Sequence, residues 1–142
     1  MIRPATPNDA EACVDILRAW IKEIAWMPML HSRSSMLAYW GARLREAEGV
    51  VVAEDGGVLG FAVREGGYVS ALYVAANARR RGAGTALLEA VARGRDTHLW
   101  TFQANAVARA FYAAKGFREI RRTDGENEEE LSDVLLYRAG SA

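Results

Sequence analysis

The chain has one cysteine and two histidines among its 142 residues, so two common kinds of site are missing. Cys13 alone can form neither an intrachain disulfide nor a thiolate cluster for a metal. It lies on an amphipathic pattern, which predicts a buried and unreactive thiol. His31 and His98 stand far apart and lack the spacing of metal ligands. We therefore expect no metal site.

Long apolar runs are also absent. No stretch approaches the length of about 20 apolar residues that a membrane-spanning helix needs. The opening residues Met1–Pro4 do not lead into the apolar core of a signal peptide. These features favour a cytoplasmic protein without a membrane partner.

A net charge is missing as well, because 18 Lys and Arg residues balance 18 Asp and Glu residues. A general nucleic-acid-binding domain carries a basic excess, so the composition disfavours a nucleic-acid partner despite the cluster Arg79–Arg81. The segment Asp124–Glu130, here called the acidic loop, holds five acidic residues in seven. Such a charge run is typical of a solvated turn, and its alternative role is to attract a cationic ligand.

The length predicts one domain over residues 1–142. Hydrophobic periodicity, together with Gly and Pro breaks, predicts the order β α α β β β α β α β β. A strand at Tyr68–Val74, a helix from Thr85 and a strand at His98–Phe102 form a βαβ unit, so these two strands should be parallel. The fold class is therefore α/β (α+β), a mixed, mostly antiparallel seven-stranded sheet flanked by about four helices.

Two details of the helices follow from local signals. Ser34 or Ser35 is expected to cap the second helix. The last helix, capped by Asn105, is expected to turn four residues towards the core. These are Val107, Ala110, Phe111 and Ala114.

The stretch Ala78–Thr85 joins the third of the consecutive strands to a helix. Gly82 and Gly84 have no Cβ, so the backbone there can turn sharply and come close to another molecule. The free N–H groups of a helix N-terminus bind anions, phosphates above all, and the neighbouring arginines add positive charge. The alternative is a tight turn with a solvated arginine run.

The pattern of this loop separates it from two other phosphate-binding motifs. No Walker A run occurs, and a dinucleotide fingerprint would need a third glycine where Leu87 stands. What remains is Arg79-x-x-Gly82-x-Gly84, preceded by Leu72-Tyr73-Val74. Further along comes a second pattern, Asn105-x-x-Ala108-x-x-Phe111-Tyr112-x-x-x-Gly116-Phe117.

Both patterns, in this order, resemble the two signatures of the GNAT N-acetyltransferase superfamily, and the resemblance extends over nearly the whole chain. Leu99–Gln103 with Thr123–Glu129 look like a bacterial subgroup that has no well-defined substrate. The resemblance implies the GNAT fold and acetyl-CoA (coenzyme A) as cofactor. It also implies that the loop N–H groups hold the pyrophosphate and that Leu72–Val74 pairs with the pantetheine arm. The implied cofactor-binding residues are Leu72, Tyr73, Val74, Arg79, Arg80, Arg81, Gly82, Ala83, Gly84, Thr85, Asn105 and Phe111.

The implied reaction is direct acetyl transfer to a primary amine of a small molecule or peptide. Tyr112 matches the position of the family's general acid, although a tyrosine beside Phe111 is otherwise an ordinary packing residue. The base stays open, since the strand before the signature offers no carboxylate. The candidates are Glu65, Glu23, His31, the acidic loop acting through water, or no dedicated base.

The irregular segment Trp26–Arg33 is either a buried connector or one wall of a substrate pocket. With the acidic loop it would bind the amine. The candidate substrate residues are Trp26, His31, Tyr68, Trp100 and Asp124. A competing hypothesis is a non-catalytic coenzyme A-binding or sensing domain on the same fold. A homodimer is compatible with the sequence.

Overall fold

Seven strands form one sheet in the order β1-β2-β3-β4-β5-β7-β6 in the computed structural model, which describes residues 1–46, 49–79 and 82–140. The strands are β1 (Ile2–Pro4), β2 (Val50–Glu54), β3 (Val58–Glu65), β4 (Tyr68–Val74), β5 (Thr97–Phe102), β6 (Arg118–Thr123) and β7 (Asp133–Arg138). The helices are α1 (Ala10–Glu23), α2 (Arg33–Glu46), α3 (Ala83–Ala92) and α4 (Ala106–Ala114). This confirms the predicted fold class and the order of the elements.

Strands β4 and β5 are parallel, as predicted, whereas the other neighbouring strands are antiparallel. In the described part of the chain the parallel pair has a single register position, Tyr68 opposite His98. Strand β4 also contains an extra residue, Ser70, because Val63 of β3 faces Ala71 while Arg64 faces Val69. A bulge of this kind bends its strand and increases the local twist. The two strands therefore diverge towards Val74 and Phe102.

The start of α1 is tied to the sheet by charged groups. The carboxylate of Asp9 accepts hydrogen bonds from both terminal nitrogens of Arg3 at 2.9 Å, and from the backbone N–H of Thr6 at 2.8 Å. Asp9 and Thr6 form a capping box, with Pro7 at the first position after the cap. The hydrogen bonds from Arg3 hold the pKa of Asp9 below its usual value.

Hydrophobic clusters fill both sides of the sheet. On one side, Leu87 and Leu88 of α3 pack with Leu99 and Val134 of the sheet. On the other side, α1 and α2 cover Phe61, and the cluster includes the thiol of Cys13 as expected. Each fully buried large apolar side chain contributes about 1.5–3 kcal/mol, so the two clusters hold the helices against the sheet.

Two details of the predicted helices were wrong. Helix α2 begins at Arg33, and its cap is Ser32, whose Oγ accepts a hydrogen bond from the N–H of Ser35 at 3.1 Å. In α4 the buried side is rotated from the expected one: Val107 is 84% exposed, whereas Tyr112 is buried. The two rings of Phe111 and Tyr112 remove more apolar area from water than small alanines do, so they set which side of α4 faces the core.

None of the helices among the described residues is long and apolar enough to span a membrane.

Candidate active site

The diverging ends of β4 and β5 expose backbone groups that a regular sheet would pair. Beyond Tyr68, the edge of β4 that faces β5 has no strand partner among the described residues. Its other edge is paired with β3, up to the contact of Val74 with Gly60. An unpaired edge of this kind can accept an extended ligand as an added strand.

The N-terminus of α3 lies directly after this open end. Gly82 is its N-cap and has a φ of 82°, a left-handed conformation that favours glycine. As a glycine it provides no side-chain cap, and the first turn of the helix holds no acidic residue. The N–H groups of Ala83, Gly84 and Thr85 make no hydrogen bond with another described residue, so they and the helix dipole present a site for an anion. Arg80 and Arg81 lie outside the described residues.

The two sequence patterns meet at Gly84. A Cβ placed there would lie 3.7 Å from the ring of Phe111 and 3.7 Å from Cγ2 of Val74. The end of β4, the start of α3 and the helix α4 are therefore in contact at one point. Asn105 caps α4, and its Oδ1 accepts a hydrogen bond from the N–H of Ala108 at 3.1 Å.

Tyr112 is 8% exposed and packs edge-on against Phe111 and Phe117, with ring centroids 5.2 and 5.5 Å away. Its hydroxyl makes no hydrogen bond to a described residue. Arg43 Nε is the one described side-chain nitrogen or oxygen that is enclosed by protein and has no hydrogen-bond partner. The Tyr112 hydroxyl also has no partner but is not enclosed in this way, so it is open to solvent. Burial, and secondarily the neighbouring Tyr73, raises the pKa of Tyr112. The group therefore keeps its proton at neutral pH.

Tyr73 was predicted to contribute its backbone, and no role was predicted for its ring. The ring lies between those of Trp20 and Phe61, at centroid distances of 5.3 and 5.6 Å. Burial, helped by the negative charge of Glu129, raises the pKa of Tyr73 to about 12. Successive side chains of a strand point to opposite faces of the sheet. The alternation in Leu72-Tyr73-Val74 could therefore have predicted that the ring of Tyr73 lies on the face opposite to its two neighbours.

These features fit a domain family found by comparison with known proteins. Residues 46–119 match the model of the acetyltransferase (GNAT) domain. The chain belongs to the GNAT acetyltransferases. The region matched includes both patterns around Gly82 and Tyr112.

The acetyltransferase is also similar to a curated protein and to solved structures. Peptidyl-lysine N-acetyltransferase YiaC of Escherichia coli (strain K12) is 36% identical over 132 residues, and the match covers 84% of each chain. The apo form of YjaB from Escherichia coli superposes with a TM-score of 0.77 at 22% identity, covering 99% of this chain and 98% of that one. YncA from Salmonella typhimurium, which was solved with its cofactor acetyl-CoA, has a TM-score of 0.75 at 21% identity, covering 100% and 94%. The two structural similarities establish the fold.

A cavity of about 520 Å³ lies beside the open end of β5 in this acetyltransferase. Its walls come from β5, from β6 and from the acidic loop. The lining residues are Trp100, Thr101, Phe102, Arg121, Thr123, Glu126, Asn127, Glu129 and Asp133. The ring of Trp26 packs against Phe102 at 5.7 Å, so the irregular segment after α1 adjoins the same cavity.

The predicted substrate residues divide into two groups. Trp100 lines the cavity and Trp26 adjoins it, while His31 Nε2 is hydrogen-bonded to Glu128 of the acidic loop. Asp124 is exposed and does not line the cavity. Tyr68 lies at the opposite end of β4, stacked on His98 at 5.3 Å and about 20 Å along the strand from Val74.

The candidate bases are likewise dispersed. Glu65 lies near the β3–β4 turn and forms an ion pair with Arg43. Glu23 is at the end of α1, where it accepts a hydrogen bond from Arg79 at 2.6 Å. The acidic loop supplies Glu126 and Glu129 to the cavity. In the described part of the chain, no group of three His, Cys, Asp or Glu residues could hold a metal ion.

Proposed function

We propose that residues 1–142 act as one N-acetyltransferase domain, which transfers acetyl from acetyl-CoA to a primary amine of a peptide or small molecule. The contact between the end of β4, the first turn of α3 and the helix of Tyr112 carries this proposal. It brings an anion site, an open strand edge and a protonated phenol to one place. Acetyl-CoA is the cofactor, and its parts match these groups in size and chemistry.

The pyrophosphate would lie on the N–H groups of Ala83, Gly84 and Thr85, with Arg79 alongside. The pantetheine arm, which carries amide groups, would pair with the free edge of Leu72–Val74 like an additional strand. Tyr112 would be the residue that acts on the thioester at the end of this arm. Asn105 would bind the arm through its amide nitrogen, since its oxygen is engaged in the cap of α4.

In the transfer step, the amine nitrogen attacks the thioester carbon, the C–N bond forms and the C–S bond breaks. The departing thiolate takes the proton of the Tyr112 hydroxyl, and the nitrogen returns a proton to the phenolate. A phenol with a raised pKa suits this role, because it stays protonated at neutral pH until a strong base is generated beside it. Backbone N–H groups of β4 stabilise the oxyanion of the tetrahedral intermediate.

The similarity to a peptidyl-lysine N-acetyltransferase supports a lysine side chain as one acceptor. The cavity also fits such a group, since it combines the aromatic walls Trp100 and Phe102 with the carboxylates of the acidic loop. Aromatic walls suit the methylene chain of a lysine, and carboxylates suit its ammonium.

The test begins with calorimetric titration of acetyl-CoA into the protein, followed by a screen of lysine peptides and small amines for release of coenzyme A. We expect cofactor binding and acetylation of at least one lysine peptide. Absence of binding at millimolar cofactor would overturn the proposal. Binding without acetylation of any amine would instead favour a non-catalytic coenzyme A-binding domain.

The role of Tyr112 is tested by Tyr112→Phe. The ring keeps its contacts with Phe111 and Phe117, and the lost hydroxyl makes no hydrogen bond within the described residues. We expect turnover to fall about 100-fold, with little change in the dissociation constant of acetyl-CoA. Tyr137→Phe is the matched control, because Tyr137 stacks on His98 near the opposite end of the sheet. Equal turnover in the two variants would exclude Tyr112 as the acid.

A further inference from the structure

The carboxylates around the cavity differ in whether another described side chain is bonded to them. Asp133 accepts hydrogen bonds from Thr123 Oγ1 and, at 3.0 Å, from Asn127 Nδ2. Glu126 forms an ion pair with Arg121 at 3.4 Å. Glu129 lines the same cavity, is half-buried, and makes neither an ion pair nor a hydrogen bond with any residue that the structure describes.

The position of Glu129 is fixed by the turn around it. Asn127 Nδ2 donates to the carbonyl of Leu131 at 2.7 Å, and Oδ1 of the same side chain accepts from the N–H of Leu131 at 3.2 Å. The N–H of Glu130 donates to the carbonyl of Asn127 at 3.0 Å. The loop thus closes on itself and leaves Glu129 on the cavity side, while Glu130 is exposed.

The charge of Glu129 also reaches the reacting end of β4. Its negative charge helps to raise the pKa of Tyr73, which lies on β4 next to Val74. Tyr73 belongs to the strand whose edge has no described strand partner beyond Tyr68, where the thioester would lie. A carboxylate without a bonding partner among the described residues therefore lines the cavity together with the aromatic walls Trp100 and Phe102.

We propose that Glu129 is the carboxylate that receives the ammonium group of the acceptor and takes its first proton. This inference rests on the proposed function and assigns the base that the sequence left open. Of the other described carboxylates near the site, Glu23 forms an ion pair with Arg79 and Glu126 with Arg121. Glu128 is hydrogen-bonded to His31, and Asp133 is hydrogen-bonded within the loop.

The proton balance of the step is complete. The acceptor enters as R–NH3⁺ and gives one proton to Glu129, which leaves the neutral R–NH2 with a free electron pair. That pair forms the bond to the thioester carbon, and the second proton lost from nitrogen replaces the one that Tyr112 gives to the thiolate. Glu129 releases its proton to solvent before the next cycle. No further reactant is needed.

The variant Glu129→Gln tests this assignment, with Glu130→Gln as the matched control. Both remove one charge from the same loop, but only Glu129 faces the cavity. Binding of n-butylammonium chloride, a mimic of the lysine side chain, is measured by NMR on the coenzyme A complex of each protein. The neutral 1-butanol serves as the uncharged probe.

We expect Glu129→Gln to weaken n-butylammonium binding about tenfold, with no change for 1-butanol or coenzyme A. Glu130→Gln should stay within twofold of the unmodified protein. With an active lysine peptide, Glu129→Gln should also raise KM and shift the rise of kcat/KM to higher pH, because more of the amine must then lose its proton in solution.

Equal n-butylammonium binding by the two variants would overturn the inference, as would no n-butylammonium binding by the unmodified protein. Neither result bears on the proposed function, because that function is tested by cofactor binding and acetyl transfer. If coenzyme A itself does not bind, the proposed function fails, and the same titration on the free protein still decides whether Glu129 binds the ammonium.

Discussion

Arg79 Nη1 donates a hydrogen bond to Glu23 Oε1 over 2.6 Å, which joins the proposed cofactor loop to the end of α1. In this arrangement, the arginine is held by a carboxylate rather than free for a phosphate. Both side chains are more than one-third exposed, so the pair is worth less than about 1 kcal/mol. A pyrophosphate with two negative charges can therefore compete for Arg79.

Removing the competing carboxylate should strengthen cofactor binding. We expect Glu23→Gln to lower the dissociation constant of acetyl-CoA about threefold at low salt, because Arg79 is released and a negative charge near the pyrophosphate is lost. Calorimetric titration at two salt concentrations measures this. Glu11→Gln, a charge removal near the start of the same helix, is the control and should leave the affinity unchanged. Weaker binding by Glu23→Gln would mean that the ion pair orients Arg79 for the cofactor.

Gly82 offers a second test of the cofactor loop. Because Gly82 has a φ of 82°, any side chain at this position would cost about 1 kcal/mol of conformational strain. No described atom lies within 4 Å of the place of a Cβ, so the methyl group of Gly82→Ala would point into the space where the pyrophosphate approaches. We expect about 1 kcal/mol lower stability and at least tenfold weaker acetyl-CoA binding.

The opposite end of the same helix supplies the control. Gly94 has a φ of 69° and equally open surroundings. Gly94→Ala should show a similar loss of stability in urea denaturation with unchanged acetyl-CoA affinity. If both variants bind the cofactor equally well, the first turn of α3 does not hold the pyrophosphate.

Local signals in the sequence predicted the elements well, because each element has its own periodicity and its own Gly or Pro boundary. Thr6 and Pro7 mark the start of the first helical segment, and α3 begins at Ala83, two residues before the predicted start at Thr85. The parallel pairing of β4 and β5 followed from their crossover helix. These features depend on residues close together in the chain.

Features that depend on residues far apart in the sequence could not be predicted from such local signals. The extra residue Ser70 reverses the alternation of β4, so Val69 and Leu72 both contact the α3 side while Ala71 faces α1 and α2. Which residue is extra is decided by the register with β3, not by the sequence of β4. Likewise, the acidic run alone does not distinguish Glu129 from its neighbours.

The burial of Cys13 leads to a prediction about alkaline stability. The side chain has no exposed surface, and burial raises the pKa of its thiol from 9.0 to about 12. The thiol therefore stays neutral in the folded protein while it ionises in the unfolded chain. Its contribution to stability is fully present below pH 9 and is lost as the pH rises from 9 towards 12.

Comparison with Cys13→Ala isolates this effect. Between pH 8 and pH 10, the unmodified protein should lose about 1.4 kcal/mol more of its unfolding free energy than the variant does, since pH 10 is one unit above the pKa of the unfolded thiol. Urea denaturation under reducing conditions at both pH values provides the measurement. Ionisation of the half-buried Tyr73 and the buried Tyr112 also lowers the stability of the fold as the pH rises, but both tyrosines are present in both proteins and cancel in the difference. Parallel pH dependences of the two proteins would show that the Cys13 thiolate is accommodated in the fold, for example by a local opening of α1 that admits water.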